Sequence, residues 1–151
     1  MQPDRIIMNL LLDNPKRILA IDYGIKRIGI AISDPLKIFA IPLITLENNK
    51  NFWNEFLSII KNYNIEKIIL GYPLKENGNK SHITVQVEKF LSELNTKIKI
   101  PVTLVDERYS SAIATEQIME VVKSRKKRRD KSLVDKKAAA VILSDFLNNS
   151  N

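Results

Sequence analysis

Apolar runs separated by polar turns divide the chain into strand-like segments. Two such runs, at 18–21 and 27–34, follow each other closely, and three more lie at 39–46, 65–71 and 102–105. Short apolar runs bounded by turn residues are typical of strands. The pattern therefore predicts five strands, and the last two are apolar enough to predict buried strands of a parallel sheet.

Helical periodicity fills the stretches between and after these runs. Apolar residues recur every three or four positions over 51–62, around 83–94, over 112–122 and over 133–147. The predicted order is βββαβαβαα, which indicates an α/β fold with a mixed sheet flanked by helices. Because proline cannot donate to a central ladder, Pro42 predicts an edge position for the third strand.

Length and composition limit the class of protein. A chain of 151 residues with 44% apolar residues can bury one sizeable core but is too short for two ordinary domains. We therefore predict one domain over 17–148, preceded by an N-terminal extension over 1–16. The chain has no cysteine, which excludes disulfides and Cys-based zinc sites and favours an intracellular location.

Positive charge is concentrated near the C-terminal third of the chain. The net charge is +7 and the pI is about 9.6, which favours a polyanionic partner such as nucleic acid. Seven of the nine residues over 123–131 are basic and none is aromatic, so contact with phosphates is the expected mode of binding. The alternative is a solvated loop without a specific partner. We name these residues the basic segment: Lys123, Arg125, Lys126, Lys127, Arg128, Arg129 and Lys131.

Asp22 lies where the first predicted strand breaks into a turn. The residues before it are apolar, and Tyr23 and Gly24 follow it. A carboxylate in largely hydrocarbon surroundings usually needs a cation, and a metal ion is a suitable one. The alternative is a turn-forming aspartate that hydrogen-bonds its own backbone.

Asp135 lies on the apolar face of the last predicted helix. The residues three, four, seven and eleven positions further on are Ala138, Ala139, Ile142 and Phe146. This spacing predicts that the Asp135 side chain faces the sheet. The alternative is a capping box in which Asp135, three residues after Ser132, bonds back to the start of the helix.

Asp106 and Glu107 follow the last predicted strand, at the end where open α/β sheets usually bind ligands. Adjacent strand residues point to opposite faces, so only one of the two can join Asp22 and Asp135, and the other can pair with Arg108. Three converging carboxylates would take up protons unless a cation neutralised them. Magnesium prefers oxygen ligands, and two such ions ~3.5–4 Å apart would promote phosphodiester hydrolysis.

Four motifs together resemble the YqgF (RuvX) family. In chain order they are Asp22 to Asp34 (DYGIKRIGIAISD), Gly71-Tyr72-Pro73-Leu74, Asp106-Glu107-Arg108, and Asp135 with Ala138 and Ala139. The resemblance covers about residues 17–147. It implies a ribonuclease H-like fold related to the RuvC Holliday-junction resolvases, with a five-stranded mixed sheet. It also implies a cytoplasmic nuclease that processes the small-subunit (16S) ribosomal RNA precursor.

The resemblance further implies roles for individual residues. The catalytic acids that bind Mg²⁺ or Mn²⁺ would be Asp22, Glu107 and Asp135. Supporting residues beside them would be Asp106, Lys26 and Arg108. Arg27 would join the basic segment in binding nucleic acid. RuvC-like enzymes carry an acid at the end of the fourth strand, where this chain has Gly71-Tyr72-Pro73.

Three other functions compete with a ribosomal RNA nuclease. A non-catalytic RNA-binding or ribosome-assembly protein would need only the basic surface of the same scaffold. A Holliday-junction resolvase would use the same acids on branched DNA. The strand-turn-strand with Asp22 and Gly24 also resembles the phosphate loop of actin-like ATPases and sugar kinases. Those proteins use two such halves, whereas this chain has four glycines, no second Asp-x-Gly and no room for another half.

Overall fold

A computed structural model describes residues 15–109 and 131–149. Their helices and strands are β1 (Arg17–Asp22), β2 (Arg27–Ser33), β3 (Ala40–Glu47), α1 (Phe52–Tyr63), β4 (Ile65–Tyr72), α2 (His82–Lys97), β5 (Val102–Asp106) and α3 (Lys131–Asn149). A short 3₁₀ turn, Glu107–Tyr109, follows β5. All five predicted strands and three of the predicted helices are confirmed. The helix predicted over 112–122 lies outside the described residues, and the domain boundary between 16 and 17 stays a prediction.

The five strands form one mixed sheet in the order β3-β2-β1-β4-β5. The first three strands pair antiparallel, whereas β1 with β4 and β4 with β5 pair parallel. The edge position that Pro42 predicts for β3 is confirmed, and the pairing shifts register opposite it, between Ile30 and Ala31. Because β1 and β4 run parallel in the middle of the sheet, their carboxyl ends meet at the same edge.

The two faces of the sheet carry different helices. On one face, Leu19, Ile21 and Ile68 pack with side chains of α1 and α2. On the other face, Ala20 and Ile69 pack with α3. Burial of each large apolar side chain stabilises the folded protein by about 1.5–3 kcal/mol, so the contacts on both faces contribute to the stability of the sheet. Strand residues alternate between the two faces of the sheet. The residue two positions after Ala20 in β1 and the residue two positions after Ile69 in β4 therefore lie on the face that packs with α3.

The fifth strand differs from its prediction. The apolar run 102–105 predicts a buried strand, but β5 lies at the edge of the sheet. Among the described residues it has β4 on one side only, so its residues are half-buried and Leu104 is 41% exposed. Apolar content alone could not show that the strand has one neighbour. Within residues 15–109 and 131–149, no helix is long and apolar enough to cross a membrane.

Candidate active site

Asp22 is the last residue of β1 and lies on the α3 face, two positions after Ala20. It is half-buried, at the edge where the carboxyl ends of β1 and β4 meet. Burial raises the pKa of Asp22 well above its usual value of 3.8, and the nearby carboxylates of Glu107 and Asp135 raise this pKa further. Two acids this close do not both ionise easily, so the site favours either a proton or a cation.

Glu107 brings the second carboxylate to this position. It follows β5 directly and begins the 3₁₀ turn, where its side chain hydrogen-bonds to Asp22. Burial raises the pKa of Glu107 and the charge of Asp106 adds to this rise, while the hydrogen bond from Asp22 opposes it. The same bond raises the pKa of Asp22, so the two carboxyl groups favour sharing one proton between them.

Asp106 is occupied elsewhere. Its carboxylate accepts hydrogen bonds from Nε of Arg108 at 3.1 and 3.2 Å, from Nη2 at 2.8 Å and from the Arg108 backbone N–H at 3.0 Å. This pairing with Arg108 lowers the pKa of Asp106. Arg108 also donates to the carbonyl of Glu76 at 3.3 Å, which ties the turn to the loop after β4. Of the two adjacent acids, the structure therefore brings Glu107 to Asp22 and leaves Asp106 with Arg108.

Asp135 lies one turn into α3. Ser132 is already inside this helix, so the capping box, which needs Ser132 ahead of the first turn, is wrong. The Asp135 Oδ2 atom instead accepts a hydrogen bond from Nε of Arg27 at 3.0 Å, and both side chains are about 30% exposed. The charge of Asp135 helps to raise the pKa of Asp22, which shows that the two carboxylates interact.

Gly29 explains how α3 comes this close to the sheet. It pairs with Asp22 across the β1–β2 ladder. A Cβ atom at Gly29 would overlap with the backbone carbonyl of Asp135 and would lie 2.9 Å from the backbone nitrogen of Lys136. The helix backbone therefore rests directly on Gly29. This contact sets Asp135 beside the end of β1.

The other predicted site residues are placed less closely or not at all. Lys26 is exposed in the turn between β1 and β2. Lys131 is the first described residue of α3, but its side chain is outside the described part, as are all other residues of the basic segment. Within 15–109 and 131–149, no three acidic side chains already form a metal-binding cluster. Asp22 and Glu107 are in contact, while Arg27 holds the third acid, Asp135, alongside.

Comparison with known proteins decides the family of the chain. A family model described as "RuvX: Holliday junction resolvase" matches residues 16–149, which include every site residue described above. The chain belongs to the RuvX family. This confirms the resemblance that the four sequence motifs indicate.

Relatives in the RuvX family align over most of their length. A protein of Chlorobium phaeobacteroides is 41% identical over 140 residues, which cover 89% of this chain and 94% of the relative. A protein of Mycoplasma mobile is 42% identical over 137 residues, covering 88% and 92% respectively. A protein of Dictyoglomus turgidum is 38% identical over 129 residues, covering 84% and 89%. Each bears the name "Putative pre-16S rRNA nuclease".

Solved structures confirm the predicted ribonuclease H-like fold. Thermus thermophilus RuvC superposes with a TM-score of 0.55 at 12% sequence identity, covering 89% of this chain and 95% of RuvC. The fowlpox virus Holliday junction resolvase gives a TM-score of 0.51 at 16% identity, covering 88% and 99%. At these identities the likeness concerns the fold alone.

The sequence of this RuvX chain gave no role in the site to two glycines and a different role to Arg27. Gly29 and Gly71 leave room for Asp135 and Glu107, and Arg27, predicted to bind nucleic acid, pairs with Asp135. A glycine inside a strand often marks a close approach of another segment, so both glycines carried a usable signal. The pairing of Arg27 had no such signal, because it joins residues 108 positions apart.

Proposed function

We propose that this protein is a cytoplasmic, metal-dependent nuclease that hydrolyses phosphodiester bonds in structured RNA, with the 16S ribosomal RNA precursor as its substrate. The observation that carries the proposal is the hydrogen-bonded Asp22–Glu107 pair at the carboxyl end of the sheet, where burial raises both pKa values. Family membership and the names of the RuvX relatives support the substrate.

The donor set at this end of the sheet fits a hard divalent cation. Carboxylate oxygens are the ligands that Mg²⁺ and Mn²⁺ prefer, and a cation would compensate the repulsion that raises the pKa of Asp22. We assign Asp22, Glu107 and Asp135 as the residues that would hold it. When bound, two divalent ions would supply the charge that activates a water molecule and stabilises the leaving oxygen.

The neighbouring residues orient these acids. The bidentate pairing of Asp106 with Arg108 fixes the start of the 3₁₀ turn, so the Glu107 backbone is held while its side chain points towards Asp22. Arg27 holds the Asp135 carboxylate in one orientation. The Arg27 side chain is 30% exposed, and we infer that it would also contact a phosphate of the substrate. The basic segment would contact further phosphates.

A single cleavage assay tests the proposal. Purified protein is incubated with Mg²⁺ or Mn²⁺ and offered 16S ribosomal RNA precursor and a four-way DNA junction side by side, with Asp22→Asn as the matched control. We expect wild-type protein to cleave the RNA precursor and the control to cleave neither substrate.

The same assay separates the competing functions. The family description as a Holliday junction resolvase favours branched DNA as the second candidate substrate, and preferential cutting of the junction would establish that candidate. Binding of RNA without cleavage in either metal would overturn the nuclease and favour a ribosome-assembly protein. Cleavage that persists in a folded Asp22→Asn variant would show that the acidic pair is not the active site.

A further inference from the structure

Gly71 has no conformational reason to be glycine. It lies inside β4 and pairs with Val105 of β5, in a regular parallel ladder. Among the described residues the glycine with positive φ is Gly78, not Gly71. Any residue could therefore adopt the backbone of Gly71, so the reason for glycine must be the space around it.

The space above Gly71 is filled by Glu107. Gly71 lies two residues after Ile69, on the sheet face that packs against α3. A Cβ atom at this position would overlap with Oε1 of Glu107 and would lie 3.0 Å from both Cδ of Glu107 and Cδ1 of Ile142. The Glu107 carboxylate thus crosses the backbone of β4 on its way to Asp22. A side chain on residue 71 would occupy that path.

We propose that Gly71 is a positioning residue of the active site, whose missing side chain leaves the channel through which Glu107 reaches Asp22. The inference rests on the proposed function insofar as Glu107 is taken to hold the metal ion. The steric part rests on the packing of Gly71 alone. Since Glu107 is flexible, a methyl group at residue 71 displaces its carboxylate more readily than it distorts the sheet.

The test compares five proteins: wild type, Gly71→Ala, Glu107→Ala, the double variant Gly71→Ala/Glu107→Ala, and Gly71→Ala/Ile142→Val. Each is titrated with MnCl₂ by calorimetry and melted in chelator. We expect Gly71→Ala to weaken Mn²⁺ binding at least about tenfold, as loss of an orienting contact commonly does. In the Glu107→Ala background the same change should weaken binding less than about twofold, or add no loss where binding is already undetectable.

The Ile142→Val variant separates the two contacts of the new methyl group. It removes Cδ1 of Ile142, so it relieves packing strain but leaves the overlap with Glu107. We expect the melting temperature of Gly71→Ala/Ile142→Val to lie closer to that of wild type than the melting temperature of Gly71→Ala does. Its affinity for Mn²⁺ should stay as low as that of Gly71→Ala. Recovery of Mn²⁺ binding in this variant would assign the effect to Ile142 and overturn the proposal.

Stability in chelator keeps the inference testable if Gly71→Ala folds poorly or wild-type protein binds no Mn²⁺. The overlap with Glu107 predicts that Glu107→Ala offsets part of any melting-temperature loss caused by Gly71→Ala. An equal loss in both backgrounds would overturn the steric claim. Absence of Mn²⁺ binding in wild type would instead overturn the proposed function, whereas wild-type affinity in Gly71→Ala would overturn the positioning role alone.

Discussion

Asp22 and Glu107 make the site unfavourable for the folded protein in the absence of a cation. Burial raises the pKa of both carboxyl groups, and the charge of Glu107 raises the pKa of Asp22 further. A hydrogen bond that shares one proton offsets part of this cost. At the scale of single residues, stability and the proposed function therefore oppose each other at this site.

This opposition predicts how Asp22→Asn changes stability with pH. The pKa of Asp22 is raised in the folded state. Above pH 3.8, the usual pKa of an aspartate, the unfolded chain releases a proton that the folded protein keeps. The contribution of Asp22 to stability is complete below that pH and is lost as pH rises through the raised pKa. In chelator, the melting temperature of Asp22→Asn relative to wild type should therefore increase from pH 4 to pH 8. A constant difference over this range would contradict the raised pKa.

A second comparison distinguishes the adjacent acids. We expect Glu107→Gln to reduce metal-dependent cleavage more than Asp106→Asn, because Glu107 contacts Asp22 whereas Asp106 pairs with Arg108. The pKa of Asp106 is lowered, so its stabilisation exists above its usual value of 3.8 and is lost as pH falls. Asp106→Asn should then lower the melting temperature slightly at pH 7, and its difference from wild type should shrink as pH falls below 3.8. The reverse order of cleavage rates would make Asp106 the metal-binding acid.

At the scale of elements, local patterns were sufficient to predict the strands and helices. The central strands are buried on both faces and form apolar runs, whereas α1 and α2 bury one face and show helical periodicity. Pro42 also indicates the place of β3 at the edge of the sheet. The same periodicity predicts that Asp135 faces the sheet. Patterns could not decide between Asp106 and Glu107, because that choice depends on the 3₁₀ turn and on Arg108. The edge position of β5 depends on the order of the whole sheet and has no local signature.

The close contact of α3 with β2 predicts that Gly29→Ala disturbs an entire element. The new methyl group would meet the helix backbone at Asp135 rather than a flexible side chain, so α3 must move. Overpacking of this kind costs about 1–3 kcal/mol. We expect a loss of that size in urea unfolding, together with weaker Mn²⁺ binding because Asp135 moves with the helix.

Asp135→Asn provides the matched comparison for this helix movement. It removes the charge without moving α3, and the ion pair with Arg27 that it breaks is partly exposed and worth about 0–1 kcal/mol. Metal binding and cleavage should therefore fall together while the melting temperature in chelator changes little. Full Mn²⁺ affinity in Asp135→Asn would remove Asp135 from the proposed metal site.

At the scale of the whole molecule, the candidate site is acidic although the chain has a net charge of +7. The carboxylates gather where β1 and β5 end and α3 passes, while excess positive charge lies elsewhere on the chain. A phosphate backbone approaching the acidic pair would be repelled by it, so the proposed binding would need basic residues outside that pair. On the proposed function, the acids would supply the chemistry and the basic segment would supply the affinity.

The last prediction measures that affinity through its dependence on salt. Replacing five residues of the basic segment with serine should weaken binding to RNA of any sequence, because each phosphate that a basic side chain neutralises releases a counterion. The five residues replaced by serine are Arg125, Lys126, Lys127, Arg128 and Arg129. The slope of log affinity against log salt should become shallower by about 0.7–0.9 for each phosphate that is no longer neutralised.

A control of equal net charge separates phosphate binding from the overall charge of the chain. It replaces five exposed lysines elsewhere with serine: Lys50, Lys61, Lys75, Lys89 and Lys99. The control should keep a steeper slope than the test variant, because charge spread over the surface does not substitute for side chains that touch phosphates. Equal slopes in the two variants would show that only net charge matters and that the basic segment is a solvated loop.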